Sequence, residues 1–269
     1  MREEIRKFLA RNRRHWLVGK IGRNLGYYHR GFENQDYDQA TNGEKFVLES
    51  LAQIHPEATV FDVGAHHGEW AKMAVAAVPR GRIHSFEVIP ATCEKLRETC
   101  AGVGSVSVHQ LGLGEQDGSL EFSVAKGRDD LSSGLAGVHG GLHKFDFETI
   151  TCPVITGDRF CREQRIEQID FLKLDIEGLE PGVLRGFAQM LAEKRVRMVQ
   201  FEYGQINLQA RFFLGDFHAL LGASGMKLGK IYPNYVDFQE YHFTQDTLCG
   251  PNFLAVDQGE NELIRVLQG

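Results

Sequence analysis

The chain has 269 residues, of which 42% are hydrophobic and 25% charged, so it is long enough to bury a hydrophobic core. Its net charge of −6 at pH 7 argues against a general nucleic-acid-binding protein, and no apolar run approaches the roughly 20 residues that cross a bilayer. The five scattered cysteines lack a CxxC pair, which argues against a disulfide framework or a zinc ribbon and favours a reducing, cytoplasmic location.

Positive charge is concentrated near the N-terminus. Residues 1–30 carry nine Lys or Arg against two Glu, a net charge of +7, which leaves −13 for the remainder. From Ile5 to Leu17, apolar residues recur at mostly helical spacing with arginines on the other face, which predicts one or two basic amphipathic helices. Such a segment either packs on the rest of the chain or on a dimer partner, or contacts an anionic membrane surface or an acidic substrate.

A helix is predicted to begin close to Glu44. Thr41 and Glu44 have the spacing of a capping box, and an apolar helical pattern follows them. We therefore divide the chain into an N-terminal helical extension, residues 1–43, and one larger domain, residues 44–269.

From residue 58 onward, short and nearly continuous apolar runs alternate with helical patterns. The runs are ATVFDV, RIHSFEV, SVSVHQLGL, IDFLKLD, VRMVQFEY, MKLGKIY and NFLAVD. They predict a doubly wound, Rossmann-like α/β domain with a mostly parallel sheet covered on both faces. Ligands of such sheets bind outside the carboxyl ends of the strands.

The alternation is interrupted over residues 115–141. An Asp117-Gly118 turn signal precedes the extended run SLEFSV, and a glycine- and serine-rich stretch follows that run. This region predicts a hairpin-like extra strand and a mobile loop next to the ligand site.

The segment VFDVGAHHGEW contains the end of the first predicted strand. An acid, Asp62, lies near that end, and two glycines follow it. Without side chains, Gly64 and Gly68 let a ligand approach the backbone and let the next helix start close to the sheet. The pattern differs from the GxGxxG turn that binds the pyrophosphate of dinucleotides. Asp62, two residues before Gly64, would repel phosphate but attract the sulfonium and α-amino groups of S-adenosylmethionine. This cofactor is therefore predicted.

Glu87 gives a second signal at the end of the next strand, RIHSFE. A carboxylate at that place can accept hydrogen bonds from both ribose hydroxyls, and Ile89 would then pack on the adenine. The same interpretation holds for NAD, so Glu87 alone does not discriminate between the two cofactors.

Carboxylates also follow two later strands. Asp175 and Glu177 precede a helix that is predicted to begin near Pro181, and Glu202 ends the run VRMVQFE. Three converging carboxylates repel one another unless they are protonated or bridged by a cation such as Mg²⁺, which prefers oxygen ligands. Three interpretations follow: a metal site, metal-free base catalysis by Asp175, or a structural turn whose acids cap the helix.

These motifs together resemble the FkbM family of S-adenosylmethionine-dependent methyltransferases. The similar segments cover roughly residues 44–256, and they are VFDVGAHHGE, SFEVIP, LGLGEQDG, IDFLKLDIEGLE and VQFEY. The most specific of them is LKLDIEGLE. The resemblance implies a class I methyltransferase sheet and an O-methyltransferase that acts on a hydroxyl of a small molecule or sugar.

Under this interpretation the cofactor contacts lie in the turns that follow the strands. The expected contacts are Asp62, Gly64, Ala65, His66, Gly68, Glu87, Val88, Gln110, Leu111 and Asp175. Asp175 and Glu177 are the expected catalytic residues, and Asp175 and Glu202 are the expected Mg²⁺ ligands. Two alternatives are an NAD(P)-dependent oxidoreductase, against which the absent GxGxxG counts, and a catalytically silent cofactor-binding protein that docks through its basic N-terminal helix.

Overall fold

The structure, a computed structural model, describes residues 1–125, 128–134 and 146–269. Within these ranges the helices are α1 (Arg2–Arg11), α2 (Trp16–Phe32), α3 (Glu44–Ile54), α4 (Glu69–Ala77), α5 (Pro90–Thr99), α6 (Gly157–Gln164), α7 (Glu180–Gly186), α8 (Ala188–Ala192), α9 (Asn207–Ala210), α10 (Leu214–Ala223) and α11 (Asn261–Leu267). The strands are β1 (Thr59–Val63), β2 (Arg82–Phe86), β3 (Val106–His109), β4 (Gly112–Leu113), β5 (Gly118–Ala125), β6 (Arg128–Ser133), β7 (Phe147–Ile155), β8 (Phe171–Leu174), β9 (Met198–Glu202), β10 (Met226–Tyr232), β11 (Tyr235–Phe238) and β12 (Asn252–Asp257).

The main sheet has the strand order β11-β10-β12-β9-β8-β1-β2-β3. All neighbouring pairs from β9 to β3 are parallel, whereas β12 runs antiparallel to both β9 and β10, and β11 runs antiparallel to β10. The predicted mostly parallel, Rossmann-like class I methyltransferase sheet is therefore confirmed.

The sheet is covered on both faces, which explains why its central strands are continuously apolar. Every residue of β1 and β8 is buried. Phe61 packs with Phe187 and other residues of α6 to α8 on one face, while its neighbour Val60 packs with Val47 and Trp70 on the other. Successive side chains of a strand point to opposite faces, so each central strand contributes to both halves of the core.

A second, smaller sheet has the strand order β4-β7-β5-β6. The predicted extra strand is β5, which pairs antiparallel with β7 and with β6. Phe122 of β5 and Cys152 of β7 pack in one apolar cluster with Ile89, which lies between the end of β2 and the start of α5. The second sheet therefore lies against the carboxyl edge of the main sheet. The predicted mobile loop extends into residues 135–145, which lie outside the described residues.

The predicted helix is present as α3, but it begins at Glu44, later than a cap at Thr41 requires, so the predicted capping box is wrong. The N-cap is Gly43 with φ +104°, and a Cβ there would collide with the carbonyl oxygen of Tyr232. The Glu44 carboxylate instead accepts a hydrogen bond from Trp70 Nε1, a tertiary contact that local spacing does not reveal. The division into residues 1–43 and 44–269 stays a prediction.

All five cysteines lie within the described residues and are free, in agreement with the predicted lack of a disulfide framework. None of the helices that the structure describes is long and apolar enough to cross a membrane.

Candidate active site

The turn after β1 has a backbone shape that requires glycine. Gly64 has φ +83°, and a Cβ there would collide with the carbonyl oxygen of Asp175. Gly68, the N-cap of α4, has φ +89°. The backbone N–H groups of Gly64 and Ala65 both donate to the carbonyl oxygen of Phe86, at 3.0 Å. The turn is thereby joined to the carboxyl ends of both β2 and β8.

A cavity of about 310 Å³ opens at these strand ends, a volume within the usual range of small-molecule sites. Six of the predicted cofactor contacts line this cavity: Gly64, His66, Glu87, Val88, Leu111 and Asp175. Glu177, a predicted catalytic residue, lines it as well. The structure thus brings the predicted cofactor turn and the predicted catalytic acids into one cleft.

Four predicted cofactor contacts do not line the cavity: Asp62, Ala65, Gly68 and Gln110. Ala65 and Gly68 shape the turn from behind, where Ala65 packs in an apolar cluster with Leu96. The side chain of Gln110 instead accepts a hydrogen bond from Arg97 at 3.1 Å, on the exposed surface. Ala65 and Gly68 therefore shape the backbone of the turn and do not form part of the cavity wall.

Asp62 also differs from the prediction of a direct contact with a cationic cofactor group. Its side chain is fully buried, and Lys173 Nζ donates to Asp62 Oδ1 at 3.2 Å. The same ammonium group lies 3.2 Å from Asp175 Oδ2 at the edge of the cavity. A buried carboxylate is stable only with a partner, so the positive charge that Asp62 satisfies comes from the chain itself.

Sequence reasoning missed Lys173, although a lysine inside the apolar strand run FLKLD is an unusual residue for a buried position. Burial disfavours its charged form, but the negative charges of Asp62 and Asp175 outweigh this and raise the pKa of Lys173. The ammonium group therefore stays protonated and connects the floor of the cleft to Asp175.

Much of the cavity wall is apolar, and sequence reasoning missed most of these residues. These residues, which come from β4, β5 and the loop before α7, include Leu113, Phe122, Ile176 and Leu179. Ile89, which we expected to pack on the adenine, lies in the same wall. Phe122 was not predictable because its position depends on how the second sheet packs.

Glu87 is held firmly at the cavity. Its Oε1 accepts from the Ile89 N–H at 2.8 Å, and its Oε2 accepts from the His66 N–H at 3.1 Å. Burial raises the pKa of Glu87 to about 7, although these backbone hydrogen bonds lower it. Each carboxylate oxygen has a second lone pair, so Glu87 retains the capacity to accept from a ribose diol.

These features fit S-adenosylmethionine. The buried Glu87 carboxylate offers acceptors for the ribose, and the apolar wall around Ile89 and Phe122 suits an adenine ring.

The acids on the other side of the cleft interact with one another. Glu202 is hydrogen-bonded to the carboxylate of Asp175, and burial together with the charge of Asp175 raises the pKa of Glu202 to about 9. Desolvation by the surrounding protein and the charge of Asp175 also raise the pKa of Glu177. The raised pKa means that Glu202 binds a proton more readily than a free carboxylate, and such a proton relieves the repulsion between the acids.

The loop that carries Asp175 and Glu177 is fixed by Glu180, the first residue of α7. Glu180 is fully buried, and its Oε1 accepts from the Ile176 N–H at 3.1 Å. Glu177 itself has φ +54°, which is rare for a residue with a side chain and marks local strain. The loop geometry is therefore determined by the fold and not by local preference.

Tyr37 brings the N-terminal segment to the same acids. Its ring is 66% exposed, yet burial of the hydroxyl and the charge of Glu202 raise the pKa of Tyr37. The preceding residues are anchored on β10, where Asn34 Nδ2 donates to the carbonyl oxygen of Ile231 at 2.9 Å. Sequence reasoning missed Tyr37 because nothing local connects it to the strand ends.

The predicted Mg²⁺ ligands Asp175 and Glu202 are neighbours, but they do not form a three-ligand cluster with Glu177. Among the described residues, the one group of three His, Cys, Asp or Glu ligand atoms within 4.8 Å of one another is His66, His67 and Glu69. The metal site at the acids therefore stays a prediction.

The chain is similar in sequence to two characterised proteins. They are the "2-O-methyltransferase NoeI" of Sinorhizobium fredii, 22% identical over 58% of this chain and 70% of its own length, and the "Hexuronic acid methyltransferase AglP" of Haloferax volcanii, 27% identical over 60% of this chain and 64% of its own length. This chain thus spans about two thirds of each relative.

Solved structures give weaker similarities. The FkbM methyltransferase of Methylobacillus flagellatus superposes with a TM-score of 0.45 at 16% identity, over 75% of this chain and 44% of that one. An O-methyltransferase of Bacillus cereus in complex with SAH gives 0.42 at 13% identity, over 83% and 82%.

The family is established by the sequence profile of the methyltransferase FkbM domain, which matches residues 62–232, more than half of the chain. The matched range contains the Gly64 turn, Glu87 and the acids from Asp175 to Glu202. Since the cleft also fits the cofactor of this family, the chain is a methyltransferase that uses S-adenosylmethionine and belongs to the FkbM methyltransferase family.

Proposed function

We propose that this protein is an O-methyltransferase that methylates a hydroxyl group of a sugar. The observation that supports this most is the position of Asp175, which lines the cofactor cavity and is hydrogen-bonded to Glu202. A hydroxyl group is a poor nucleophile until its proton is removed, and a carboxylate next to the methyl donor can take that proton.

In this proposal the cofactor supplies an electrophilic methyl group on a sulfonium, and the chain aligns the acceptor and removes its proton. The acceptor oxygen forms a bond to the methyl carbon as the carbon–sulfur bond breaks, and the hydroxyl proton passes to Asp175. Lys173, 3.2 Å from Asp175 Oδ2, keeps this carboxylate in place. Glu177, on the same loop, is the second group that contacts the acceptor.

On the cofactor side we propose that Glu87 binds the ribose hydroxyls. Gly64, His66, Val88 and Leu111 would then surround the ligand, since they line the same cavity. Asp62 acts indirectly, because its carboxylate holds Lys173.

A neutral hydroxyl is the acceptor group that the charges favour. The Asp175 carboxylate at the cavity repels an anionic group, so a neutral hydroxyl approaches the methyl donor more easily than a carboxylate does. The names of the two relatives, a 2-O-methyltransferase and a hexuronic acid methyltransferase, support O-methylation and a sugar acceptor.

Activation by Mg²⁺ is a second form of the same proposal. An ion bound by Asp175 and Glu202 would replace the proton that Glu202 holds, and it would lower the pKa of a coordinated acceptor hydroxyl. Added Mg²⁺ that raises turnover, with loss of turnover in EDTA, would favour this form, and equal turnover in both would favour the metal-free base.

The proposal is tested with methyl-labelled S-adenosylmethionine and a panel of methyl hexosides and hexuronic acids. We expect label in an ether that survives mild base, because the acceptor is a hydroxyl. Label that mild base releases would be a methyl ester and would contradict hydroxyl methylation. Oxidation of NAD(P)H by the purified protein, with no label transfer, would instead support an oxidoreductase.

A further inference from the structure

The two N-terminal helices leave an apolar face uncovered. Across residues 1–33, all of which the structure describes, no side chain is buried. We propose that α1 and α2 form a surface that docks the protein onto an anionic lipid bilayer without crossing it.

The apolar residues of α2 lie on one stripe of the helix. With 3.6 residues per turn, six of them fall within about 100° of the circumference. These residues are Leu17, Val18, Ile21, Leu25, Tyr28 and Phe32. Leu25, Tyr28 and Phe32 are 57%, 70% and 77% exposed, which is unusual for large apolar side chains on one face.

The opposite face of α2 carries cations. Lys20, Arg23 and Arg30 lie there, and Arg6 and Lys7 of α1 lie at least about 100° around the helix from its apolar residues Ile5 and Phe8. A basic polar face and an apolar face with aromatic side chains are the features of helices that lie in the plane of a membrane surface. The long stems of lysine and arginine let their charges reach anionic headgroups while the stripe enters the acyl boundary.

Helix α2 also needs a partner to be stable. It contains Gly19, Gly22, Gly26 and Gly31, and each glycine in a helix interior costs about 1 kcal/mol relative to alanine. Burial of the apolar stripe of α2 in a bilayer would offset this loss of helix stability.

The charge distribution along the chain favours an anionic lipid surface. Residues 1–30 have a net charge of +7, and the remainder has −13. An anionic bilayer therefore attracts the two helices and repels the rest of the chain, so contact is confined to α1 and α2.

Docking would place the cleft near the lipid. Directly after α2, Glu33 forms an ion pair with Lys230 of β10 at 3.1 Å, and Tyr37 lies next to the acids of the cleft. The docking surface is thus joined by a short, anchored segment to the acceptor side of the site.

The test is co-sedimentation of the full chain with phosphatidylcholine vesicles that contain either no anionic lipid or about 30% phosphatidylglycerol. We expect partitioning into the anionic vesicles to be at least tenfold stronger, and to weaken when salt is raised to about 0.5 M. Equal partitioning into both vesicles, or none into either, would overturn the proposal.

Two neighbouring tyrosines provide matched variants. Tyr28 lies in the apolar stripe and Tyr27 on the basic side, and both are exposed, so Tyr28→Glu and Tyr27→Glu should fold with an unchanged thermal midpoint. We expect Tyr28→Glu to partition at least tenfold less than Tyr27→Glu, since only Tyr28 enters the lipid. Equal loss in the two variants would overturn the proposal. The proposal would also be overturned if the chain did not bind vesicles but formed a concentration-dependent dimer, and Tyr28→Glu abolished that dimer.

Discussion

On the cofactor side of the cleft Glu87 is fixed by backbone N–H groups, whereas on the acceptor side Asp175 and Glu202 are fixed by each other and by a lysine. Backbone donors are present whatever the pH, but a proton on Glu202 is lost at high pH. The comparison indicates that cofactor binding depends mainly on a rigid turn and that chemistry depends on the protonation of side chains. A substitution on one side of the cleft should therefore change the function of that side and leave the other side largely unaffected.

The largest effect is expected for Asp175→Asn. It keeps the shape of the side chain and removes the group that takes the proton, so we expect kcat to fall about 10³-fold, near 4 kcal/mol. The affinity for S-adenosylhomocysteine should change less than about threefold, since Glu87 is untouched. Single-turnover kinetics measure the fall in turnover, and calorimetry measures the affinity for S-adenosylhomocysteine. Loss of both turnover and affinity would show that Asp175 serves mainly to bind the cofactor.

Glu87→Ala should have the reverse effect. We expect S-adenosylhomocysteine to bind at least tenfold more weakly, about 1.4 kcal/mol, because the ribose loses its acceptor. The kcat at saturating cofactor should stay close to wild type. Glu177→Gln, a change on the other side of the cleft, is the control for cofactor affinity, and an unchanged dissociation constant in Glu87→Ala would remove the ribose assignment.

The proton on Glu202 predicts how turnover depends on pH. The pKa of Glu202 is raised to about 9, so its ionised fraction grows about tenfold from pH 7 to pH 8. An ionised Glu202 can accept the proton that leaves the acceptor hydroxyl, and kcat should rise by a similar factor. This rise should vanish in Glu202→Gln, and a kcat that is flat from pH 7 to about 8 in the wild type would contradict this role of Glu202.

Cofactor affinity should depend on pH in a different range. Burial raises the pKa of Glu87 to about 7, so its carboxylate is ionised above this value and gains a proton below it. Since the ionised form is the better acceptor for ribose hydroxyls, affinity for S-adenosylhomocysteine should fall about tenfold from pH 8 to pH 6. In Glu87→Gln the calorimetric affinity should be weaker and nearly independent of pH.

The smallest effect is expected for Tyr37→Phe. The charge of Glu202 reaches the Tyr37 hydroxyl, but this side chain is largely exposed. We expect the KM for the acceptor to rise about threefold, because the variant has no hydroxyl beside these acids to hydrogen-bond to the acceptor, with cofactor affinity unchanged. A change in cofactor affinity would show that the N-terminal segment acts on both sides of the cleft.

Patterns local in sequence predicted the backbone of the site well. The strand that ends before Gly64, the acid at Glu87 and the loop from Asp175 to Glu177 were all predictable, because strand ends and glycine turns follow from short-range preferences. The structure places Gly64, Glu87 and Asp175 around one cavity.

Pairings across long sequence separations could not be predicted. Lys173 meets Asp62 although 111 residues separate them, and Glu44 binds Trp70 instead of capping its own helix. Phe122 enters the cavity wall only because the second sheet packs on the strand ends. Such contacts depend on tertiary packing, which leaves no periodic signal in the sequence.

The most direct measurement is a calorimetric titration of S-adenosylhomocysteine into the wild-type protein at pH 8, with NADPH titrated in parallel. A cleft built around Glu87 and Asp175 predicts micromolar binding of S-adenosylhomocysteine and no heat from NADPH. Heat from NADPH alone, or from neither ligand, would contradict the assignment of the cofactor.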